Sequence, residues 1–252
     1  MLKTAIMKTP LYPMARSAYQ AIFKPEIAAY KARMGAFYSQ FFQPGTRVFD
    51  VGANQGEYAE IFAREGGRVL AIEPNTAYSP RLNALSRMFD IHPVFAAIAE
   101  APGEAELQVC STAIYSTLVD PHAEWIETSP DYAGVKWTHK LKVPVTTLDI
   151  LAQEFGEPEY VKIDVEGFEI NVLRGMTFRP RYLSFEFGAR RKGPSVECLE
   201  HLGAQNFKFR PIVGRKYRFA TPEWMDLPAA KAWLESFSVE QAEYGDMFAL
   251  RS

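Results

Sequence analysis

Apolar positions along this chain switch repeatedly between the spacing of a strand and that of a helix. Arg47 to Val51 is a short apolar run broken only by Asp50, the pattern of a central strand. From Gln55 to Arg64 the spacing becomes helical: Tyr58, Ile61 and Phe62 share one face, and Glu57, Glu60 and Glu65 stay polar. Further strand-length runs follow at Val69–Ile72, Val94–Ile98, Tyr160–Val165, Tyr182–Phe187, Phe207–Ile212 and Met247–Leu250. Helical patterns lie between or beside them at Arg81–Phe89, Leu148–Phe155, Ile170–Arg174, Val196–Leu202 and Ala229–Phe237. Glu104–Ser111 and Leu141–Val145 read as extra strands. Strands alternating with helices predict an α/β fold around an open sheet.

The two ends of that pattern differ. Residues 1–42 carry Lys3, Lys8, Arg16, Lys24, Lys31 and Arg33 against the single acid Glu26. Ala18, Ile22, Tyr30, Met34, Phe37, Tyr38 and Phe41 suggest one or two amphipathic helices broken near Pro25. A basic amphipathic helix can lie on a membrane, but a helical cap packed on the domain is the preferred reading. The expected organisation is an N-terminal helical extension over 1–42 and one domain over 43–252. An insertion at about 113–140 has little period and holds Tyr115, Trp125, Tyr132 and Trp137. A long segment of that kind is often a lid or binding loop, and its aromatic faces suit an acceptor molecule; a structural hairpin is the alternative.

Composition narrows the classes. At 252 residues and 48% hydrophobic, one α/β domain with additions is expected. A net charge of −2 gives no nucleic-acid footprint. Cys110 and Cys198 form no disulfide or zinc pattern, which suits a reducing compartment. No apolar stretch has the length of a signal peptide or a membrane span, so a cytoplasmic location is expected. A homo-oligomer is left open.

Two turns carry the candidate chemistry. The first, Gly52-Ala53-Asn54-Gln55-Gly56, follows the Arg47–Val51 strand, with Asn54 placed as an N-cap and Glu57 three residues on. Neither the G-x-G-x-x-G fingerprint nor a phosphate loop ending in Gly-Lys-Ser/Thr is present. Glu73 ends the second strand, about 20 residues past the turn, where an acid is placed for ribose hydroxyls. A ligand with a ribose and no diphosphate is implied, and S-adenosylmethionine has that shape. Tight strand–helix packing without a ligand is the alternative for the glycines. The second turn, Lys162-Ile163-Asp164-Val165-Glu166-Gly167, presents two carboxylates at the end of a strand.

The segments 49–56, 72–75, 97–99, 103–107, 116–118, 145–149, 161–169 and 172–175 resemble the FkbM-type methyltransferases. The Lys-Ile-Asp-Val-Glu-Gly-Phe-Glu run at 162–169 is the most specific of them. The resemblance spans roughly Gly45 to Phe187. It implies a Rossmann-like, seven-stranded, mostly parallel sheet with helices on both faces, and S-adenosylmethionine as donor. It also implies transfer to a hydroxyl of a saccharide or natural product. The candidate donor residues are Asp50, Gly52, Ala53, Asn54, Gly56, Tyr58, Glu73, Pro74, Asn75, Ala97, Ile98 and Asp164. The catalytic candidates are Asp164, Glu166 and Lys162.

Transfer to an aliphatic hydroxyl needs a positioned base or a metal for the proton. Asp164 is the first choice for a ligand-facing role. Glu166 is either catalytic or a cap on the next helix. Lys162 either takes part or simply pairs with Asp164, on whose strand face it lies. A divalent cation held by Asp164 and Glu166 is conceivable, with Glu186 also expected near the cleft, but no metal ligand is assigned. His122 and His139 fall in the insertion, where a histidine is more often solvated than catalytic. Two other readings stand beside this one: a nucleotide-dependent oxidoreductase, and a catalytically silent binding module.

Overall fold

The structure is a computed structural model that describes residues 25–110, 116–119, 137–189, 192–238 and 244–252. Tyr115, His122, Trp125 and Tyr132 of the insertion, and the residues before Pro25, lie outside the described residues.

Seven strands form the main sheet: β1 (Arg47–Val51), β2 (Arg68–Ile72), β3 (Ile91–Val94), β7 (Tyr160–Ile163), β8 (Tyr182–Gly188), β9 (Phe207–Val213) and β10 (Tyr244–Arg251). Their order is β3-β2-β1-β7-β8-β10-β9, and β10 runs antiparallel to both neighbours. The chain leaves β1 toward β2 and β3, then returns to β7 on the other side. That reversal is a topological switch point, so a ligand cleft is expected at the carboxyl ends of β1 and β7. A second sheet holds β4 (Ala97–Ile98), β5 (Gly103–Cys110) and β6 (Trp137–Thr146) in the order β4-β6-β5.

Helices cover both faces, as expected. On one face α1 (Pro25–Tyr38), α2 (Glu57–Arg64) and α3 (Ser79–Ser86) bury Met34, Phe37, Ile61, Phe62 and Leu82 against Val48, Tyr160 and Phe248. On the other, α4 (Leu148–Phe155), α5 (Glu169–Arg174), α6 (Lys192–Gly203) and α7 (Leu227–Ser236) bury Leu151, Val172, Leu199 and Leu234 against Phe49, Val161 and Phe185. The two sets divide by strand parity, Val48 facing one layer and Phe49 the other. Buried Glu60 ties the first layer together: Lys31, Arg64 and Arg81 approach it at 3.7, 2.8 and 2.9 Å. Burial opposes its charge, but these three cations hold its carboxyl below the usual range.

The face under α1 changes character along the strands. Near its middle it is aromatic, with Phe41 stacked on Phe248 at 4.6 Å and on Tyr160 at 5.6 Å. Toward the carboxyl ends, register aligns Asp50 with Lys162 and Lys162 with Ser184. One pleat further lie Asp164, Glu186 and Asp246, the last two directly paired. The sheet therefore ends in a row of charge over an aromatic base.

Several expectations are corrected. Asn54 does not cap α2; Gly56 is the N-cap, and the Asn54 side chain accepts the Gln55 N–H instead. Left-handed backbone at Gly52, Asn54 and Gly56 delays the helix, so no capping box forms with Glu57. The expected strand Val94–Ile98 is two strands: β3 begins earlier, at Ile91, and β4 turns away into the second sheet. Glu166 does not cap α5 either. Phe168 is the N-cap, and Glu169 accepts the Val165 and Gly167 N–H groups at 3.2 and 3.1 Å.

Candidate active site

The glycine turn is held open by backbone geometry. Gly52 has φ 82°, and a Cβ there would sit on the Asp164 carbonyl oxygen. Gly56 has φ 77°, and a Cβ would come within 2.6 Å of Leu85 and 2.8 Å of Leu82. Only glycine meets both demands. The Gly52 and Ala53 N–H groups donate to the Ile72 carbonyl at 2.9 and 3.0 Å, which fixes the turn against β2.

Glu73 then joins the two loops. One carboxylate oxygen accepts the Asn54 N–H at 2.8 Å, and the other accepts the Asn75 N–H at 2.7 Å. Each oxygen keeps a further lone pair. Burial pushes the Glu73 carboxyl up to about 7; the two amides pull it down, and Asp50 and Asp164 add to the rise. Asn75 in turn caps the short turn Thr76–Tyr78 by accepting the Ala77 N–H. Pro74 is half-buried between them. Ala97 and Ile98 are buried in the second sheet, paired with Val145 and Thr146.

Asp50 is completely buried, and neither of its carboxylate oxygens has a hydrogen-bond partner. Such a group is costly unless something compensates it. Burial pushes its carboxyl up to about 6, Asp164 adds to the rise, and Lys162 and the Ala59 amide oppose it. Lys162 lies beside it, 1% exposed, and donates to Asp164 Oδ2 at 2.7 Å. The same ammonium sits 4.1 Å over the Tyr58 ring. Burial alone would lower the Lys162 pKa, but Asp164, Asp246 and Asp50 raise it and keep it charged. Asp164 is more accessible, at 28%. The structure thus brings Asp50, Tyr58, Lys162 and Asp164 together with the glycine turn.

Glu166 takes left-handed backbone, φ 54°, and its carbonyl accepts the Thr117 hydroxyl at 2.9 Å. Carboxylate oxygens of Asp164, Glu166 and Glu186 lie within 4.8 Å of one another. His139 lies on an exposed position of β6, with Nδ1 3.0 Å from the Thr138 hydroxyl. Cys110 and Cys198 are both free and buried.

Sequence reasoning missed Asp246. It is half-buried, and burial pushes its carboxyl up to about 6, while Lys162, Arg215 and the Tyr38 hydroxyl oppose the rise and Asp164 adds to it. Its signal was an acid interrupting the apolar run of β10, the same signal that marks Asp50 in β1. Arg215, Tyr217 and Tyr30 were missed as well, and no local pattern singles them out.

The methyltransferase FkbM domain matches residues 50–227. The chain belongs to the FkbM methyltransferase family. The match includes Asp50, Glu73, Lys162, Asp164 and Glu186, and it ends before Asp246. No curated protein matches the sequence. Among solved structures, the precorrin-6y C5,15-methyltransferase of Geobacter metallireducens is 12% identical, covering 87% of this chain and 86% of its own, with TM-score 0.40. A TehB-like SAM-dependent methyltransferase of Corynebacterium glutamicum is 11% identical, covering 94% and 99%, with TM-score 0.44. A SAM-dependent O-methyltransferase of Thermotoga maritima is 13% identical, covering 86% and 64%, with TM-score 0.41. This FkbM protein is an S-adenosylmethionine-dependent methyltransferase. Among the described residues, no helix is long and apolar enough to cross a membrane.

Proposed function

We propose that this FkbM methyltransferase methylates a hydroxyl of a small molecule, a saccharide or natural product, in the cytoplasm. The observation that carries the reading is the Lys162–Asp164 pair at 2.7 Å beside a completely buried Asp50 whose oxygens have no hydrogen-bond partner. The residues fit the donor: a cationic ligand compensates Asp50, the glycine turn admits close approach, and Glu73 retains acceptor capacity for ribose hydroxyls. When bound, S-adenosylmethionine supplies an electrophilic methyl group on a sulfonium.

The chain's own residues do the rest. Asp50, Glu73 and the backbone of Gly52–Gly56 would hold the donor. Asp164, at the end of β7, takes the acceptor proton. Lys162 fixes one Asp164 oxygen and leaves the other for the hydroxyl, so the base is held in place before the acceptor arrives.

One observation favours an addition to this scheme. The Asp164, Glu166 and Glu186 oxygens form a donor set suited to a hard divalent cation, which would supply Lewis acidity there. Two measurements test the reading. Calorimetry with S-adenosylmethionine should show micromolar binding by the wild type. Methyl transfer across a panel of neutral and acidic hydroxyl compounds should then proceed, and it should stop on chelation only if the cation takes part. Absence of donor binding would remove the proposal.

A further inference from the structure

We propose that the acceptor carries an anionic group, a carboxylate or a phosphate, and that Arg215 with the Tyr30–Tyr217 pair holds that group at the mouth of the cleft. This rests on the O-methyltransferase reading and adds the chemical class of the acceptor to it.

Charge is divided along the depth of the site. Among the described residues, the base presents Asp50, Asp164, Glu166, Glu186 and Asp246 around the buried cation Lys162, and Arg215 acts on Asp246 from the rim. Such an excess of carboxylate suits a cationic donor and repels an anion. The rim is opposite in sign. The link from β9 toward β10 is Gly214-Arg215-Lys216-Tyr217-Arg218, in which the three basic residues are exposed and Tyr217 is buried between them. A molecule with an anionic end and a reacting hydroxyl is therefore aligned by this field, anion outward and hydroxyl inward.

Arg215 is the cation placed to read that anion. Its side chain is 55% exposed, and Glu57 approaches it only at 3.9 Å, with 43% exposure of its own. An ion pair that open is weak, and a guanidinium binds carboxylate or phosphate through two parallel hydrogen bonds. The link is anchored near the cleft, since the Gly214 N–H donates to the Tyr244 carbonyl at 2.9 Å, two residues before Asp246 on β10.

The wall between Arg215 and the base is phenolic. The Tyr30 and Tyr217 hydroxyls are 2.7 Å apart, and their rings meet edge to face at 5.4 Å. The Tyr58 hydroxyl faces the same Tyr217 hydroxyl, and the Tyr58 ring carries Lys162. Hydroxyls thus lead from the rim to the reacting pair, able to donate to an anion or accept from a polyol. Tyr217 has φ 47°, left-handed backbone that a bulky residue rarely adopts. That strain persists only where the surroundings enforce it, and here it turns the phenol inward while its two neighbours stay outside.

The donor half leaves this position to the acceptor. Gly52–Gly56 and Glu73 occupy the β1–β2 side, and in-line transfer places the acceptor oxygen opposite the donor's sulfur. The space over β7, β8 and β10 is what remains; Arg215 borders it through Asp246 and borders the glycine turn through Glu57.

The test uses the full chain saturated with S-adenosylhomocysteine, titrated calorimetrically with inorganic phosphate and, separately, with glycolate. At least one should bind with a dissociation constant of about a millimolar. Arg215→Gln should weaken that binding about tenfold or more, and Tyr30→Phe by several-fold. Arg68→Gln, at the amino-terminal end of β2, should leave it unchanged. Preference for phosphate points to a phosphorylated acceptor, preference for glycolate to a carboxylated one, and equal binding supports the shared chemistry. Binding of neither anion, or equal binding by wild type and Arg215→Gln, overturns the proposal. Thermal melting verifies that Arg215→Gln is folded; Tyr30→Phe removes a single hydroxyl and gives an independent readout. Titration of the wild type with S-adenosylhomocysteine precedes these, so failure of the methyltransferase reading shows there and not in the anion data.

Discussion

The two halves of the cleft are built by different means. On the β1–β2 side the work is done by backbone: three left-handed residues, two glycines with no room for a Cβ, and one carboxylate gripping two amides. On the β8–β10–β9 side it is done by single side chains that arrive from separate places, Tyr30 from α1, Arg215 and Tyr217 from the β9–β10 link, and Asp246 from the antiparallel strand. Backbone construction restricts which residues are possible over a contiguous stretch. Side-chain convergence restricts only isolated positions. The first half should therefore fail by losing donor affinity, and the second by losing acceptor selection, with the Lys162–Asp164 pair between them controlling turnover.

The sharpest test of that division sits on the boundary. Asp164→Asn should lower kcat by about 10²- to 10⁴-fold, the usual span for a positioned proton acceptor. Donor affinity should change far less. Asparagine keeps the shape and can still accept from Lys162, and Asp50 and Asp246 still surround the ammonium, so the melting temperature should move much less than the rate. Steady-state kinetics alongside thermal melting decide it. A well-folded Asp164→Asn enzyme with full activity would move the base elsewhere, and Asp246, across the same row, would be the next residue to examine.

The second test breaks the donor half alone. Glu73→Gln should weaken S-adenosylmethionine about 10- to 100-fold, because charge-assisted hydrogen bonds are lost from the ligand and from the Asn54 and Asn75 amides together. Asp50→Asn should act in the same direction by removing the buried charge opposite a cationic ligand. Phosphate and glycolate binding at Arg215 should survive both substitutions. Calorimetry with each ligand in turn measures this. Equal loss of donor and anion binding would show that the cleft is one coupled unit and that the two halves are not separable.

The same contrast explains what the sequence revealed. Gly52, Gly56 and Glu73 were legible because a turn between strand and helix has few solutions, and each leaves glycines and an acid at set spacing. Lys162 and Asp164 were legible because strand parity puts i and i+2 on one face. Asp246 lies far from Asp164 along the chain, and only the insertion of β10 between β8 and β9 brings it into the same row, across Glu186. Tyr30 meets Tyr217 across 187 positions; neither residue is unusual where it stands in the sequence. The misplaced cap at Asn54 has a local cause. Asn54 and Gly56 both can begin a helix, and Gly56 takes that place with left-handed backbone where Leu82 and Leu85 leave no room for a Cβ. The split of the expected Val94–Ile98 strand likewise depends on a second sheet that claims Ala97 and Ile98.

The smallest expected effect is the pH dependence of donor binding, and its sign distinguishes the two halves once more. Asp50 titrates at about 6 and Glu73 at about 7, both raised chiefly by burial. A cationic donor prefers their ionised forms, so affinity should fall about three- to tenfold from pH 7.5 to pH 5.5. Stability of the ligand-free protein should respond to these two groups in the opposite direction. Their folded pKa values exceed the unfolded ones, so the folded state holds extra protons between about pH 4 and 7. Their contribution is fully present below that window and lost as pH rises through it. Glu60 works against this trend, because its lowered pKa contributes stability that is lost as pH falls. Comparing wild type with Asp50→Asn cancels the Glu60 contribution. The variant should bind the donor with a flatter pH profile, retaining only the Glu73 part, and should gain stability over wild type most at the alkaline end. Calorimetry and thermal melts at pH 5.5, 6.5 and 7.5 measure both. A wild-type affinity that is flat or rises toward pH 5.5 would mean that Asp50 and Glu73 do not face the donor's charge, and the backbone turn would then hold the donor without them.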